Sequence, residues 1–399
     1  MENYVARFEM LGFGMIVHFG LYSILGKGEW YLALNDKADK AKYESLTSKF
    51  VVSKNWAKEL VKTAKESGCK YITLTVRHHD GFSLYDTKGL SDFDVMHSAC
   101  RRDLIKEFVD ECNAQGIMPV FYHTMLDWHC PEYKNDFPKY IDYLEKSLRL
   151  LCTNYGKIGG FWFDGTWDKT DVDWQENRLY GLIKELQPEA MIINNSGLSA
   201  LGKLGHDLLD GVTFERGKPR CCVCETKHVA GEMCQVLNDH WGYAKDDCNY
   251  KSLKSLIEDL VDCRKYNCNF LLNTGLTGRG TIREIDKCIF LEIGKWIKAN
   301  KGFIYSAKAC DVTAENADVL YDDNNYYAII KNVGMSADPN VGLKNNLKSV
   351  KINTEGKIKN VKWLDNGKAV KNKDNSFEVV PFAYGTSRAV RVARFTIEK

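Results

Sequence analysis

The 399-residue sequence predicts an α/β protein, a TIM-like (β/α)₈ barrel followed by a small C-terminal antiparallel β-sandwich. Short apolar runs alternate with amphipathic helical patterns, which is typical of parallel βαβ units. Eight such repeats fit into the first three hundred or so residues, the usual length of a barrel. After about residue 305 helical periodicity disappears and short strands alternate with turn clusters. We therefore expect a catalytic barrel over 1–304 and a β-sandwich over 305–399.

The strand candidates are short apolar runs bounded by glycine, proline or polar residues. The first run ends in His18, where the glycine-rich phosphate loop of a doubly wound sheet would begin, so that alternative fold is the weaker one. The chain is expected to enter this strand almost at once. The eight predicted strands are 13–20, 71–76, 117–123, 159–165, 191–195, 212–215, a less distinct one in the segment leading to 240–243, and 269–273.

Amphipathic patterns between these runs predict helices. In the first of them Leu60, Val61 and Ala64 recur at helical spacing, with Ser53 as the expected N-cap and Gly68 as the stop. The predicted helices are 54–67, 101–115, 137–155, 174–186, 253–266 and 285–299. In the C-terminal region the predicted strands are 347–352, 361–364, 377–380 and 389–397, and no group of catalytic residue types accompanies them.

Charge and composition exclude several classes of function. The net charge is +2 with acids and bases mixed along the chain, so there is no basic surface for nucleic acid and no polybasic membrane arm. No run approaches the ~18 apolar residues of a membrane span, and the first residues do not resemble a signal peptide. We expect a cytoplasmic protein, unless a leader precedes this sequence. A homo-oligomer remains open.

The fourteen cysteines are scattered, and in a cytoplasmic protein they are expected to be reduced. Cys221, Cys222, Cys224 and Cys234 could be considered as zinc ligands. Their spacing matches no common zinc pattern, and no histidine falls at a suitable interval. We therefore expect no metal site.

Polar residues follow several of the predicted strands. The run 71–76 opens directly into Arg77, His78, His79 and Asp80, and a core that needed only packing would not place these residues there. A pair of satisfied core histidines is the alternative for this strand alone. In a barrel, however, catalytic groups gather at the C-terminal ends of the strands. That rule collects His18, Glu29, Trp30, His78, His79, Asp80, Tyr122, His123, Asp127, Trp128, Trp162, Asp164, Asn194, Asn195, Glu215 and Trp241.

This mixture of indoles, imidazoles, amides and carboxylates is what sugar rings require. Two carboxylates on separate strands are also the minimum for retaining glycoside hydrolysis. Asp164 is the predicted nucleophile because it ends a strongly apolar strand, and a helix-capping acid is the alternative for it. Glu215 is the predicted acid/base, with Glu232 as its competitor. An ion pair with Arg216, Lys218 or Arg220 is the alternative for Glu215.

Several motifs then resemble the α-L-fucosidases of glycoside hydrolase family 29. They are Phe-Gly-Met-Ile-Val-His-Phe-Gly-Leu-Tyr-Ser, Gly-Glu-Trp-Tyr, Arg-His-His-Asp-Gly-Phe, Leu-Asp-Trp-His, Phe-Trp-Phe-Asp-Gly, Phe-Leu-Leu-Asn-Thr-Gly and Glu-Ile-Gly-Lys-Trp. The resemblance covers residues 10 to 305 in consistent order. It implies a retaining α-L-fucosidase that acts on fucosylated oligosaccharides or glycosides without a cofactor.

Carried onto this sequence, the resemblance places the nucleophile on Asp164 and leaves the acid/base between Glu215 and Glu232. It implies that the sugar is bound by His18, Glu29, Trp30, His78, His79, Tyr122 or the adjacent His123, Trp162 and Trp241. Two departures bear on substrate preference. Many relatives have an arginine soon after the fifth strand, where this chain has Asn194-Asn195-Ser196, so Arg216 or Arg220 would have to supply that contact. The loop after the eighth strand also lacks the usual proline and aspartate.

Three alternatives stay open at this point. One is a related glycosidase with relaxed or galactoside specificity. Another is a metal-dependent hydrolase, although no His-x-His ends the first strand. The third is a non-catalytic fucose-binding relative, which would keep the histidines and tryptophans but lose a carboxylate. The residues alone reach only a barrel glycosidase, and the resemblance supplies fucose.

Overall fold

A computed structural model describes residues 3–222, 224–336 and 349–398. Eight parallel strands close into a barrel in sequence order, with β1 pairing back onto β8 through Phe13 opposite Phe270 and His18 opposite Gly275. Closure leaves no exposed strand edge. The strands are β1 (Phe13–His18), β2 (Tyr71–Arg77), β3 (Met118–Thr124), β4 (Gly160–Asp164), β5 (Met191–Asn194), β6 (Gly211–Thr213), β7 (Ala230–Gln235) and β8 (Asn269–Gly275).

Helices cover the outside of the barrel. The longer ones are amphipathic and bury their apolar stripe against the strands; in α6, for example, Leu104, Ile105 and Phe108 are fully buried. The helices are α1 (Tyr4–Glu9), α2 (Tyr22–Leu25), α3 (Tyr31–Leu34), α4 (Lys40–Glu44), α5 (Trp56–Glu66), α6 (Leu104–Gln115), α7 (Glu132–Asn135), α8 (Phe137–Asn154), α9 (Glu176–Leu186), α10 (Leu253–Lys265) and α11 (Glu284–Ala299). No helix of the described residues is long and apolar enough to cross a membrane.

The N-terminal expectations need two corrections. The chain begins with α1 rather than entering a strand at once, because Asn3 caps the helix and Val5 and Phe8 bury one face of it. Ser53 is not the N-cap of α5. That position belongs to Asn55, while the carbonyl of Ser53 accepts from the amide of Trp56.

The region from β5 to β7 departs most from a regular alternation of strands and helices. In the described part of the two connections the only helical turn is a 3₁₀ turn at Leu198–Ala200. Strand β6 ends at Thr213, before the predicted 215, and it pairs with β5 only through Ile193 and Gly211. Strand β7 lies in the segment leading to 240–243, as predicted; its sequence, Ala-Gly-Glu-Met-Cys-Gln, lacks the β-branched residues that mark a strand, which is why its bounds could not be predicted.

The C-terminal part contains two antiparallel sheets. Strands β9 (Lys308–Ala309), β10 (Thr313–Glu315), β11 (Asp318–Asp322), β12 (Asn325–Ile330), β13 (Ser349–Asn353), β14 (Lys357–Trp363), β15 (Asn372–Lys373), β16 (Ser376–Glu378) and β17 (Arg391–Glu398) form sheets of order β10-β13-β16-β15 and β14-β17-β12-β11-β9. The first two residues of the predicted strand 347–352 lie outside the described residues. The predicted fold class, a (β/α)₈ barrel followed by an antiparallel β-sandwich, is confirmed.

Successive residues of β12 face in opposite directions, as the period of a strand requires. Tyr327 and Ile329 join the large apolar core of the barrel, and the ring of Tyr327 lies 5.2 Å from that of Phe303. Ala328 and Ile330 belong to the separate core between the two sheets. The sandwich is therefore attached to the barrel by apolar packing.

Candidate active site

A cavity of about 800 Å³ opens at the C-terminal end of the barrel strands. Ten of the eleven residues predicted as catalytic or sugar-binding line it: His18, Glu29, Trp30, His78, His79, Tyr122, Trp162, Asp164, Glu215 and Trp241. Of the other residues collected at the strand ends, Asn195 also lines it, whereas Asp80, Asp127, Trp128 and Asn194 do not. Its other lining residues are Ile16, Leu34, Trp167, Asn195, Gly197, Leu198, Ser199, Arg216, Asp239 and His240. The strand ends therefore converge as the barrel rule requires.

His123 is the exception, and its prediction as a sugar-binding residue is corrected by the structure. Neighbouring residues of a strand point to opposite faces, so only one of Tyr122 and His123 can face the barrel interior. Tyr122 does so, whereas His123 is fully buried on the outer face, where its Nε2 atom lies 2.9 Å from Oγ of Ser147 in α8.

Asp164 ends β4 and its carboxylate is held by four donors. Tyr122 donates to Oδ2 at 2.7 Å, and Oδ1 accepts from the Gly165 amide at 2.8 Å, from Nε1 of Trp167 at 2.9 Å and from Nδ2 of Asn195 at 3.2 Å. Burial raises the pKa of Asp164, but His79 and the hydrogen bonds of Tyr122 and Trp167 outweigh burial, so the pKa is lowered overall. Asp164 is therefore ionised and rigidly oriented.

Glu215 lies two residues beyond the end of β6, on the same rim. Its Oε2 atom accepts from Nδ2 of Asn195 at 2.7 Å, so one amide group bonds both carboxylates. Burial raises the pKa of Glu215; the Asn195 amide opposes that shift, and the charge of Asp164 adds to it. The two carboxyl groups thus have pKa values shifted in opposite directions, as expected for a base or nucleophile beside an acid.

The orientation of the Asn195 amide is fixed from its other side. Its Oδ1 atom accepts from the Thr213 hydroxyl at 3.0 Å and from the Gly197 amide at 3.4 Å. Both contacts are donors, so the oxygen must face them and the NH₂ group must face the carboxylates. The ion pairs considered for Glu215 do not form: Lys218 bonds Asp259 at 2.7 Å instead.

Glu232, the competing acid, is placed away from the cavity. It lies within β7 and points into the barrel centre, where it is 1% exposed. Trp162 donates its indole N–H to Oε1 at 2.8 Å, and Tyr71 donates to Oε2. Burial raises the pKa of Glu232 to about 7. Glu232 therefore supports the floor of the cavity from beneath Trp162.

Two histidines of the site are held neutral by their surroundings. Burial lowers the pKa of His18 to about 4, and its Nδ1 atom lies 2.8 Å from Oδ1 of Asn273. Burial and the adjacent His79 and His18 lower the pKa of His78 well below its usual value. The Nδ1 atom of His78 is buried and has no hydrogen-bond partner among the described residues. Neutral imidazoles of this kind can bond hydroxyl groups of a ligand.

His79 is oriented by a hydrogen-bond chain. The Thr124 hydroxyl donates to the carbonyl of Leu126 at 2.6 Å, so it accepts from Nδ1 of His79 at 2.7 Å. The opposite nitrogen, Nε2, then faces Oδ2 of Asp164 at 3.5 Å. The Nε2 atom of His79 is therefore directed toward the carboxylate of Asp164.

The loop that carries Glu29 packs against the loop that carries Trp241. Oε2 of Glu29 accepts from the amide of Gly242 at 2.7 Å, next to Trp241. A Cβ atom at Gly242 would lie 3.0 Å from the backbone nitrogen of Glu29, so this close approach favours glycine. The ring of Trp241 packs 5.5 Å from that of His18.

No group of three or more His, Cys, Asp or Glu side chains in the described residues is arranged to hold a metal ion. Cys234 is buried within β7, whereas Cys221 is exposed. Cys234 lies in the barrel interior, apart from Cys221, Cys222 and Cys224, which line a separate pocket.

Comparison with known proteins decides the family. Residues 2–302 match the family model described as Alpha-L-fucosidase, which is most of the chain. The chain belongs to the α-L-fucosidase family. The resemblance to glycoside hydrolase family 29 is thereby confirmed, and the protein is a glycoside hydrolase.

Curated α-L-fucosidases align with most of this chain. The tissue α-L-fucosidase of Bos taurus is 26% identical over 358 residues, which is 82% of this chain and 74% of the bovine protein. The α-L-fucosidase of Dictyostelium discoideum is 24% identical over 362 residues, 81% of this chain and 77% of its own. The structure of α-L-fucosidase isoenzyme 1 from Paenibacillus thiaminolyticus superimposes with a TM-score of 0.87 at 30% identity and covers 100% of this chain and 99% of that one.

Soon after the fifth strand, where the resemblance led us to expect an arginine, this chain has an amide. Asn195 occupies that place and bonds both carboxylates. Of the two substitutes that we considered, Arg216 lines the cavity, with its guanidinium 5.2 Å from the ring centre of Trp241. Arg220 donates to the carbonyl of Leu201 and stays outside the cavity lining.

Among the lining residues of this α-L-fucosidase site that sequence reasoning missed, Trp167 bonds the predicted nucleophile directly. It lies in a 3₁₀ turn, Thr166–Asp168, directly after the Asp164-Gly165 step, and its indole bonds Asp164. An aromatic residue three positions beyond a strand-end acid could have indicated it. The rule for strand ends collects only residues close to those ends, and Trp167 lies in the turn that follows.

Proposed function

We propose that the protein is a retaining exo-α-L-fucosidase that removes terminal α-L-fucosyl groups, with Asp164 as nucleophile and Glu215 as acid/base. The observation that carries this proposal is the single Asn195 amide bonded to both carboxylates, at 3.2 and 2.7 Å. The distance between Oδ1 of Asp164 and Oε2 of Glu215 therefore cannot exceed the sum of these two contact distances. That separation suits the ~5–5.5 Å of retaining enzymes rather than the ~6.5–9.5 Å of inverting ones.

The reaction follows from the charge states of the pair. Asp164 attacks the anomeric carbon, while Glu215 transfers its proton to the glycosidic oxygen as the bond to the leaving group breaks. Glu215, now ionised, takes a proton from a water molecule that attacks the same carbon, and the bond to Asp164 breaks. Fucose leaves with its original anomeric configuration, and both carboxyl groups return to their first states.

The lining of the cavity supports a fucosyl substrate. Neutral His18 and His78 are suited to bonding hydroxyl groups, and His79 turns a nitrogen toward the nucleophile. Fucose carries a methyl group where galactose has a hydroxymethyl group, and Ile16 and Trp162 offer apolar surface in the same cavity. Both carboxylates are present, which disfavours the non-catalytic alternative.

One solved relative of the same fold lends further support. An α-L-fucosidase of family 29 from Bacteroides thetaiotaomicron was trapped as a covalent intermediate with 2-fluoro-fucosyl fluoride in a glutamate-to-glutamine variant. It superimposes on this chain with a TM-score of 0.82 at 22% identity. A covalent intermediate is what the arrangement of Asp164 and Glu215 would form.

The deciding experiment follows the hydrolysis of α-L-fucosyl fluoride by NMR. We expect fluoride release with α-L-fucose as the first product, before mutarotation. β-L-Fucose as the first product would contradict the retaining mechanism. Faster release from α-L-galactosyl fluoride than from the fucosyl compound would favour the galactoside alternative.

A further inference from the structure

Exposed apolar side chains concentrate at the mouth of the cavity. The described residues contain seven large hydrophobic side chains that are exposed, and three of them line this one cavity: Leu34 at 77%, Leu198 at 63% and Trp167 at 36%. Isolated exposed hydrophobic residues are ordinary on a protein surface. Three on the rim of one cavity form an apolar wall, which we define as Leu34, Trp167 and Leu198.

This wall begins beside both carboxylates. Trp167 donates its indole N–H to Asp164, and its ring lies 6.1 Å from that of Trp30, four residues before Leu34. On the other side the loop after β5 runs from Asn195, which bonds Glu215, to Leu198. A Cβ atom at Gly197 would lie 3.4 Å from the indole of Trp167, so this loop packs on the ring.

We infer that the apolar wall is an aglycone subsite for aryl or alkyl leaving groups; this inference rests on the proposed function. The leaving oxygen departs toward the acid Glu215, and the loop that carries Leu198 lies beside that acid. The two leucines have no hydrogen-bonding group, and the indole N–H of Trp167 is already bonded to Asp164. A cavity of about 800 Å³ also has room for a group beyond one sugar ring.

A carbohydrate leaving group would use different residues. Arg216, Asp239 and His240 line the cavity from the loops after β6 and β7, and they carry the charged and planar groups that hydroxyls require. The apolar wall predicts instead that affinity increases with the apolar area of the leaving group.

The test compares methyl and hexyl α-L-fucosides with α-L-fucosyl fluoride. The two alcohols have similar basicity, so the acid assists both equally, and they differ in the apolar area that the wall can cover. We expect kcat/KM for the hexyl fucoside to exceed that for the methyl fucoside about tenfold, through KM. Fluoride is too small to reach the wall, so hydrolysis of the fluoride reports the fucosyl site alone.

The double variant Leu34→Ser/Leu198→Ser should bring the hexyl-to-methyl ratio close to one and leave fluoride release within about twofold of wild type. The matched control is Ile285→Ser, an exposed residue (44%) outside the cavity lining, which should keep the wild-type ratio. A ratio of one in the wild type, or an unchanged ratio in the double variant, overturns the subsite. So does a lower KM for a fucosyl disaccharide than for the hexyl fucoside. No fluoride release by the wild type would overturn the proposed function itself, and the subsite with it.

Discussion

At the scale of single residues, the proposed reaction depends most on Asp164. Its four donors hold the carboxylate ionised and in one direction. We expect Asp164→Ala to fold normally and to lose turnover by roughly three orders of magnitude or more, because no other group can form the covalent intermediate. Azide should restore turnover and give β-L-fucosyl azide, detectable by NMR. Near-normal turnover of the variant would rule out Asp164 as nucleophile.

The assignment of the acid can be tested through the leaving group. Glu215→Ala should abolish cleavage of alkyl fucosides but retain a measurable fast step on a nitrophenyl fucoside, whose leaving group needs no proton. The general acid works only while protonated, so wild-type activity should fall as pH rises through the raised pKa of Glu215, and the variant should lose this limb.

Glu232→Ala is the matched comparison. Glu232 reaches the cavity only through Trp162, so this variant should slow alkyl and aryl substrates by a similar factor. The opposite result, with the leaving-group dependence appearing in Glu232→Ala and not in Glu215→Ala, would transfer the acid role to Glu232.

Asn195 is expected to position the pair and to set its pH range. The Asn195 amide donates to both carboxylates and stabilises their ionised forms. Because Asn195→Ala removes this donor, the pKa of Asp164 and that of Glu215 should both rise. Both limbs of the pH–rate profile should then move to higher pH, and kcat/KM should fall about 10- to 100-fold.

The neighbour Thr213 provides the control for that prediction. Thr213→Val removes the donor that orients the Asn195 amide and should reproduce part of the shift, whereas Thr213→Ser keeps the donor and should behave like wild type. Lower activity with both limbs unmoved would show that Asn195 is merely structural.

At the scale of secondary-structure elements, the barrel interior depends on one close approach between β1 and β2. Gly14 pairs with Tyr71, and a Cβ atom at Gly14 would lie 2.3 Å from the ring of Tyr71. The missing side chain lets Tyr71 cross the barrel interior and bond Glu232 beneath the cavity floor.

Gly14→Ala should therefore lower the free energy of unfolding by about 1–3 kcal/mol, because the core is overpacked. Gly181→Ala in α9, where nothing lies within 4 Å of the added methyl group, should instead be neutral or raise it by up to about 1 kcal/mol. Chemical denaturation measures both. A neutral Gly14→Ala would mean that the two strands can separate to accept the methyl group.

At the scale of the whole molecule, β12 serves two cores. Ile329 packs into the barrel core and Ile330 into the core of the sandwich. Either change to alanine should cost about 2–5 kcal/mol locally. We expect Ile329→Ala to lower the temperature at which fucosidase activity is lost by more than Ile330→Ala does. An equal or reversed effect would show that the sandwich core controls the stability of the barrel.

The sequence by itself determined the elements and the region of the site. Period-two and helical patterns depend on neighbouring residues alone, so they predicted seven of the barrel strands to within a few residues, and for β7 they indicated only a segment. Strand β7 lacks β-branched residues and is held by pairing with β6 and β8 rather than by its own composition. The acid at the end of β4 and the histidines after β2 were predictable because parallel strands of a barrel end on one rim.

Only the tertiary structure decided which neighbouring side chains reach the cavity. Tyr122 and His123 alternate along one strand, and the sequence does not say which of them faces inward. Glu215 and Glu232 both accompany strands; the position of each along its strand, set by pairing with the neighbouring strands, places Glu215 at the rim and Glu232 beneath Trp162. The Asn195 bridge likewise joins residues that are far apart in the chain. Such contacts depend on strand register and barrel closure, which no local pattern encodes.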